Sequence, residues 1–70
     1  MTLNEVEAGT EVIVKDIHTD DEEMKSFLFS LGCYSGEPIT VVTKKKRSLV
    51  LSIKDARYNI DTGLASVIEV

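Results

Sequence analysis

The stretch from Met24 to Val42 constrains the fold more than any other part of the chain. Four apolar residues there recur three or four positions apart, which is the spacing of one helix face: Met24, Phe27, Leu28 and Leu31. Gly32 follows, where a helix end favours a residue at positive φ, and glycine adopts that conformation without a Cβ penalty. Residues 33–36 predict a turn, and residues 38–42 have strand composition. The order predicts a helix joined to a strand through a glycine stop.

Length and composition limit the function classes. Seventy residues predict a single domain, 1–70, with a thin core. Net charge −4 argues against a dedicated nucleic-acid binder, because such affinity comes mostly from neutralised phosphates. One cysteine, Cys33, excludes an internal disulfide and a multi-cysteine zinc or iron–sulfur site. We see no signal peptide and no apolar stretch approaching the ~20 residues of a membrane span, so a cytoplasmic protein is expected.

The pattern along the chain predicts a mainly β fold. The first strand is expected over 11–17, the helix over about 20–31 and a short helical turn near 61–65. The capping-box spacing of Thr19 and Glu22 places the start of the helix. Further strands are expected over 39–43, 49–53, 56–60 and 67–70. About five antiparallel strands with one inserted helix fit a small SH3-like barrel.

The predicted core follows from the same periodicities. The helix stripe and the inward positions of the strands supply its members. Leu3 and Val6 are expected to anchor the N-terminal arm, whereas Phe29 lies off the helix stripe. The predicted core residues are Val12, Val14, Leu28, Leu31, Ile39, Val41, Leu51, Ile53, Ile60 and Ile68.

Two candidate sites have simpler structural explanations. The best metal candidate contains carboxylates and one imidazole, but helix capping accounts for the same residues at the same positions. Cys33 follows a helix C-terminus, whose negative dipole end raises a thiol pKa, so a structural role is expected. No metal ligand, cofactor or catalytic residue is therefore predicted. The acidic cluster is Asp16, His18, Asp20, Asp21, Glu22 and Glu23.

One basic block stands out in the acidic chain. It joins two predicted strands as a hairpin tip and consists of Lys44, Lys45, Lys46 and Arg47. Such a block can bind RNA phosphates, anionic lipid headgroups or an acidic protein partner. It can equally be a solvated tip that prevents edge-to-edge aggregation. Composition leaves both readings open.

The chain resembles the FeoA family, the ferrous iron transport protein A group. Residues 3–9 resemble its opening "sL-x-x-l-x-x-G", and 28–32 resemble its "L-x-x-L-G" helix end. Residues 34–42 are similar to its "x-p-G-x-x-I-x-V-v" turn and strand, and 57–70 to its closing "r-y-a-I-d…l-A-x-x-I-x-V". Order and spacing over nearly the whole chain carry the resemblance. The chain departs from the pattern at Ser26, Phe27, Ser35 and Asp55.

The resemblance implies a small cytoplasmic SH3-like barrel without catalytic activity. It implies an accessory protein that assists or regulates the membrane ferrous iron transporter, which carries a cytoplasmic GTPase domain, through protein–protein contact. The same fold is the C-terminal domain of diphtheria-toxin-repressor-type metalloregulators, so an interaction domain of metal-responsive transcription is the alternative. An RNA-binding small barrel is a third reading, which the charge disfavours. Weak homo-oligomerisation and direct transition-metal binding stay open.

The off-stripe aromatics suggest how such a partner docks. Phe29 and Tyr34 are expected to flank a groove and anchor the interface, since a few residues carry most of an interface's energy and Tyr is favoured among them. Lys44, Lys45, Lys46 and Arg47 are expected to steer an acidic surface or headgroups towards it. The alternative is that Phe29 only covers a sheet edge.

Overall fold

The computed structural model describes all 70 residues and contains two antiparallel sheets. A 3₁₀ turn over Leu3–Glu5 precedes them. The four-stranded sheet has the order β1-β3-β4-β5, and β2 pairs with β6, which confirms the mainly β prediction. The elements are β1 Glu11–Ile13, β2 Asp16–Ile17, α1 Glu22–Ser30, β3 Pro38–Lys44, β4 Ser48–Ile53, β5 Ala56–Asp61, α2 Thr62–Ala65 and β6 Ile68–Glu69.

The predicted first strand is two strands in different sheets. β1 pairs with β3, and β2 pairs with β6. The change of partner occurs between them: the Val14 N–H donates to the Glu37 carbonyl at 3.0 Å, whereas the Lys15 N–H donates to the Glu69 carbonyl at 2.7 Å. The single strand over 11–17 was therefore wrong, because the chain bends from one sheet into the other at this point.

The helix begins later than its sequence signal indicated. Asp21 is the N-cap, and its carboxylate accepts from the backbone N–H groups of Glu23 and Met24 at 3.0 and 3.1 Å. Thr19 instead accepts from the Asp21 N–H at 3.1 Å, which is a local turn contact. The capping box predicted from Thr19 was wrong because that hydroxyl bonds two residues on, outside the helix.

The glycine stop is confirmed and is a Schellman motif. Gly32 has φ +96°. Its N–H donates to the Phe29 carbonyl and the Cys33 N–H donates to the Leu28 carbonyl, both at 3.0 Å. This is the paired bonding that ends a helix at a left-handed residue. Cys33 and Leu28 are both fully buried, so the apolar contact that accompanies the motif lies inside the core.

The helix face is narrower than its periodicity predicted. Leu28 is fully buried, whereas Met24 and Leu31 are partly buried. Phe27 is 47% exposed, so its place on the buried stripe was wrong. A nine-residue helix touches a small barrel along a line, and residues beside that line stay partly in solvent.

The core is otherwise close to the prediction. Leu31 and Val12 were wrong, since both only pack against its margin; the other eight predicted residues are buried. The anchoring roles of Leu3 and Val6 are confirmed. Apart from these two, the predicted core omitted five of the buried residues: Ile17, Cys33, Leu49, Ala65 and Val70.

The strands over 39–43, 49–53 and 56–60 are confirmed with slightly longer bounds. The β3–β4 register shifts between Val41 and Thr43, which is a bulge. β4 and β5 pair without interruption and are joined by two residues, Lys54 and Asp55, at φ 48° and 69°. Positive φ at both positions is the signature of a type I′ hairpin turn. This turn brings Lys54 to the end of the sheet where β3 begins.

Candidate docking surface

Two exposed aromatic rings meet where the helix ends. Phe29 and Tyr34 have ring centroids 6.4 Å apart and an interplanar angle of 76°, an edge-to-face arrangement that aromatic pairs favour. Their exposed fractions are 47% and 38%. The glycine stop turns the chain back so that Tyr34 reaches the last turn of the helix. The two residues predicted as a docking anchor are therefore in contact and accessible.

Lys54 completes this patch and was not predicted from sequence. Its Nζ donates to the Tyr34 hydroxyl at 2.6 Å and lies 3.5 Å from Glu37 Oε1. The Tyr34 hydrogen bond, and then the Glu37 charge, raise the pKa of Lys54 above its usual value. Although Nζ is 5.1 Å from the ring centroid, its shorter distance to the hydroxyl places it beyond the ring edge, so the contact is a hydrogen bond. We call Phe29, Tyr34 and Lys54 the aromatic patch.

The sequence contained one signal for Lys54. A connection of only two residues between β4 and β5 forces a tight hairpin. Because β4 runs antiparallel to β3, the turn at the end of β4 lies beside the start of β3. Tyr34 is only a few residues before that start. The contact depends on the exact strand pairing, which periodicity alone does not give.

The basic block lies at the tip of the β3–β4 hairpin, as predicted. Lys44 Nζ donates to the Asn4 carbonyl at 2.7 Å. The Thr62 N–H donates to the Arg47 carbonyl at 3.0 Å, which ties the tip to the start of α2. All four basic side chains are exposed. We call residues 44–47 the basic tip.

The aromatic patch and the basic tip are separate surfaces. Arg47 directly precedes β4, whereas Lys54 directly follows it. At about 3.3 Å per residue, a strand of this length separates its two ends by roughly 20 Å. The residues predicted as one docking surface are thus two patches at opposite ends of the same strand.

The predicted acidic cluster is dispersed among structural contacts. His18 Nε2 bonds Glu69 Oε1 across the β2–β6 pair. Asp16 Oδ1 accepts from the Ile17 N–H at 2.8 Å, and Asp21 caps the helix. No group of three or more His, Cys, Asp and Glu side chains is arranged to hold a metal ion.

Cys33 is part of the core. Its side chain is fully buried, and burial raises the pKa of the thiol to about 11. The sequence predicted a raised pKa from the helix C-terminus, but desolvation is the cause. The surface holds no ligand pocket, and neither helix is long and apolar enough to cross a bilayer.

Comparison with known proteins gives a consistent result. The family model of the FeoA domain matches residues 1–70. The crystal structure of an iron uptake regulatory protein, FeoA, is 26% identical, with a TM-score of 0.89 over 97% of this chain and 91% of that chain. FeoA of Stenotrophomonas maltophilia, complexed with zinc, is 25% identical, with a TM-score of 0.86 over 100% of this chain and 88% of that one. The latter is described as a procaryotic SH3 domain protein and a candidate bacterial ferrous iron transport activating factor.

A more distant likeness extends the fold to another class of protein. A manganese-dependent transcriptional repressor is 18% identical, with a TM-score of 0.89 over 97% of this chain and 39% of that chain. At this identity the likeness shows the fold alone. No curated protein sequence matches the chain. The FeoA structures confirm the predicted SH3-like fold.

Proposed function

The chain belongs to the FeoA domain family, an SH3-like family associated with ferrous iron transport, and on that premise we propose that it is a cytoplasmic accessory protein of ferrous iron uptake. It assists or regulates the membrane ferrous iron transporter by contact with the transporter's cytoplasmic GTPase domain, and it catalyses no reaction itself. The observation that carries the proposal is the family match over residues 1–70.

The aromatic patch is the proposed anchor of that contact. Tyr34 and Phe29 present apolar ring surface that is already ordered by their mutual contact and by the Lys54 hydrogen bond. Such preorganisation lowers the entropy lost on binding. Aromatic residues with a polar handle are also the side chains that most often dominate interface energies.

The basic tip is the proposed steering element. It carries the largest local concentration of positive charge on a chain of net charge −4. Because it lies about 20 Å from the aromatic patch, it would contact a different part of the partner. Exposed charges of this kind change the association rate more than the final affinity, and the effect decreases as salt is added.

Uptake of ferrous iron by cells tests the function directly. Cells lacking the gene for this protein should take up ferrous iron more slowly, and the wild-type gene should restore uptake. Uptake that is unchanged by the deletion, with the transporter present at its normal level, would contradict the proposal.

Binding to the isolated GTPase domain of the transporter tests the docking surface. Phe29→Ala and Tyr34→Ala should weaken binding while leaving stability nearly unchanged. Phe27→Ala is the matched control, because Phe27 has the same 47% exposure on the same helix but points about 160° away from Phe29 around its axis. Changing residues 44–47 to serine should remove the salt dependence of association. Equal losses for Phe27→Ala and Phe29→Ala would place the docking surface elsewhere.

We also propose that the isolated protein neither hydrolyses nucleotides nor holds iron or zinc tightly. Of the predicted ligand candidates, Asp21 caps the helix and His18 contacts Glu69, and no three of them are arranged to hold a metal ion. Calorimetric titration with ferrous ion and with zinc measures this. A stoichiometric site of submicromolar affinity would refute it. The alternative role in metal-responsive transcription has only the fold likeness to the repressor in its favour.

A further inference from the structure

The outer edge of β5 is left open by the fold. β5 is the last strand of the four-stranded sheet and pairs only with β4. Its six residues are in unbroken register with β4, whereas β1, at the opposite edge, has three residues. β5 contains no proline and no bulge, which are devices that normally prevent strand edges from pairing. The edge of β5 is therefore the longest regular strand edge available to another chain.

The pattern of hydrogen bonds between β4 and β5 determines which backbone groups of β5 point towards the open edge. The two-residue turn at 54–55 makes Ile53 and Ala56 the closing pair, which exchanges hydrogen bonds in such hairpins. Bonding then alternates along the strand. Thr62 lies an even number of residues after Ala56, so its N–H should also bond on the side of β4. It does, because it donates to the Arg47 carbonyl at 3.0 Å. The backbone groups directed away from β4 belong to Arg57, Asn59 and Asp61, whose side chains are all exposed.

We propose that this edge binds the same edge of a second copy of the chain, antiparallel, with the two-fold axis at Asn59. In that register Arg57 of each copy lies directly opposite Asp61 of the other. Asn59 faces its own copy across the axis, and Tyr58 faces Ile60 on the inner side of the sheet. Opposite charges and aromatic–aliphatic pairs both stabilise when they are directly cross-strand, and symmetry provides each pair twice.

The charges favour this register over its neighbours. A shift by two residues in one direction places Asp61 opposite Asp55 of the second copy, and like charges directly opposite each other destabilise a strand pair. A shift in the other direction places Arg57 opposite Gly63, which has no side chain. Only the register centred on Asn59 pairs both charges of the edge.

The same pattern favours a second copy over a segment of another protein. The edge carries one positive and one negative residue, so it has no net preference for an acidic or a basic strand. An antiparallel second copy of the same edge, however, places a negative residue opposite the positive one and a positive residue opposite the negative one. Asp61 Oδ1 already accepts from the Leu64 N–H at 2.7 Å, which leaves the second carboxylate oxygen for Arg57. Because one short edge buries little area, the dimer is weak and depends on concentration. The inference is independent of the proposed function, since it uses different residues from the aromatic patch.

Sedimentation equilibrium over a range of protein concentrations at low salt tests the proposal. Asn59→Lys and Asn59→Asp each place like charges across the two-fold axis on an exposed position, so both should weaken the dimer about tenfold. If the edge instead bound an acidic segment of another protein, Asn59→Lys would strengthen that binding and Asn59→Asp would weaken it. Opposite responses of the two variants would thus overturn the proposal.

A second pair of variants tests the charge register. Arg57→Glu should weaken self-association about tenfold, because each Glu then faces Asp61. Asp61→Asn keeps a residue that can cap α2 and removes only the charge, so it should weaken the dimer about threefold. Thermal unfolding of each variant confirms that it remains folded at the temperature of the measurement.

Amide exchange identifies the surface involved. With rising protein concentration, exchange of the Arg57 and Asn59 N–H groups should slow, while that of Ile13 in the other edge strand should not change. A protein that stays monomeric at millimolar concentration would refute the proposal. A dimer that protects β1, or that is unaffected by Asn59→Lys, would refute it as well.

Discussion

Replacing Gly32 with alanine tests the junction on which the fold depends. Two effects oppose the substitution. An alanine at φ +96° is held in a left-handed conformation, which costs about 1–2 kcal/mol, offset by about 0.4–1 kcal/mol because alanine restricts the unfolded chain. The new Cβ would also lie 3.2 Å from Ile53 Cγ2, and Ile53 is only 1% exposed, so it has little room to move. Overpacking of this kind costs about 1–3 kcal/mol.

Gly36 supplies a matched control. It has φ +90°, but a Cβ there would have nothing within 4 Å. Gly36→Ala should therefore lower the free energy of unfolding by about 1 kcal/mol through conformation alone, and Gly32→Ala by about 2–4 kcal/mol. In a domain of this size each kcal/mol lowers the melting temperature by about 4–8 °C.

Urea unfolding followed by far-ultraviolet circular dichroism measures the stability of both variants. A shift of the urea midpoint at an unchanged m-value reports the change in the free energy of unfolding. The extra cost of Gly32→Ala should fall towards the Gly36→Ala value in an Ile53→Leu background, because leucine lacks the branching Cγ2 methyl group. This double-mutant comparison isolates the contact between the two positions. Equal costs for Gly32→Ala and Gly36→Ala, in the wild-type background, would refute the inference that the junction is closely packed against β4.

Three further substitutions or reactions test other local features. Asp21→Ala should destabilise the protein by about 1 kcal/mol in chemical denaturation, while Thr19→Ala should have a smaller effect, because Asp21 is the helix cap; the reverse order would contradict the capping contacts. Asp55→Gly should stabilise it by about 0.5 kcal/mol, since glycine is preferred where a type I′ turn requires positive φ, and a lower midpoint would argue against that turn. Cys33, with its pKa raised to about 11 by burial, should react with a thiol reagent at neutral pH only as fast as the protein opens; a rate like that of a free thiol would show that it is accessible.

Prediction from sequence succeeded where the structure is set by neighbouring residues. The glycine stop at Gly32, the strands on either side of the basic tip and most of the core follow from periodicity and from the conformational preferences of single residues. The location of the basic tip was predictable for the same reason. Phe29 was placed off the buried stripe by helical geometry alone, and its exposure agrees with that placement.

Other features depended on partners that are distant in the chain. The first strand divides because Val14 bonds near β3 while Lys15 bonds to β6, and periodicity does not specify which segment a strand will pair with. Phe27 has the spacing of a core residue but is exposed, because the barrel meets only a narrow part of the helix. The contact of Lys54 with Tyr34, the separation of the aromatic patch from the basic tip and the open edge of β5 all follow from strand order. Local sequence thus determined where the chain turns and which residues are apolar, whereas tertiary pairing decided what each surface faces, because hydrogen-bond partners and packing neighbours are chosen by the whole fold.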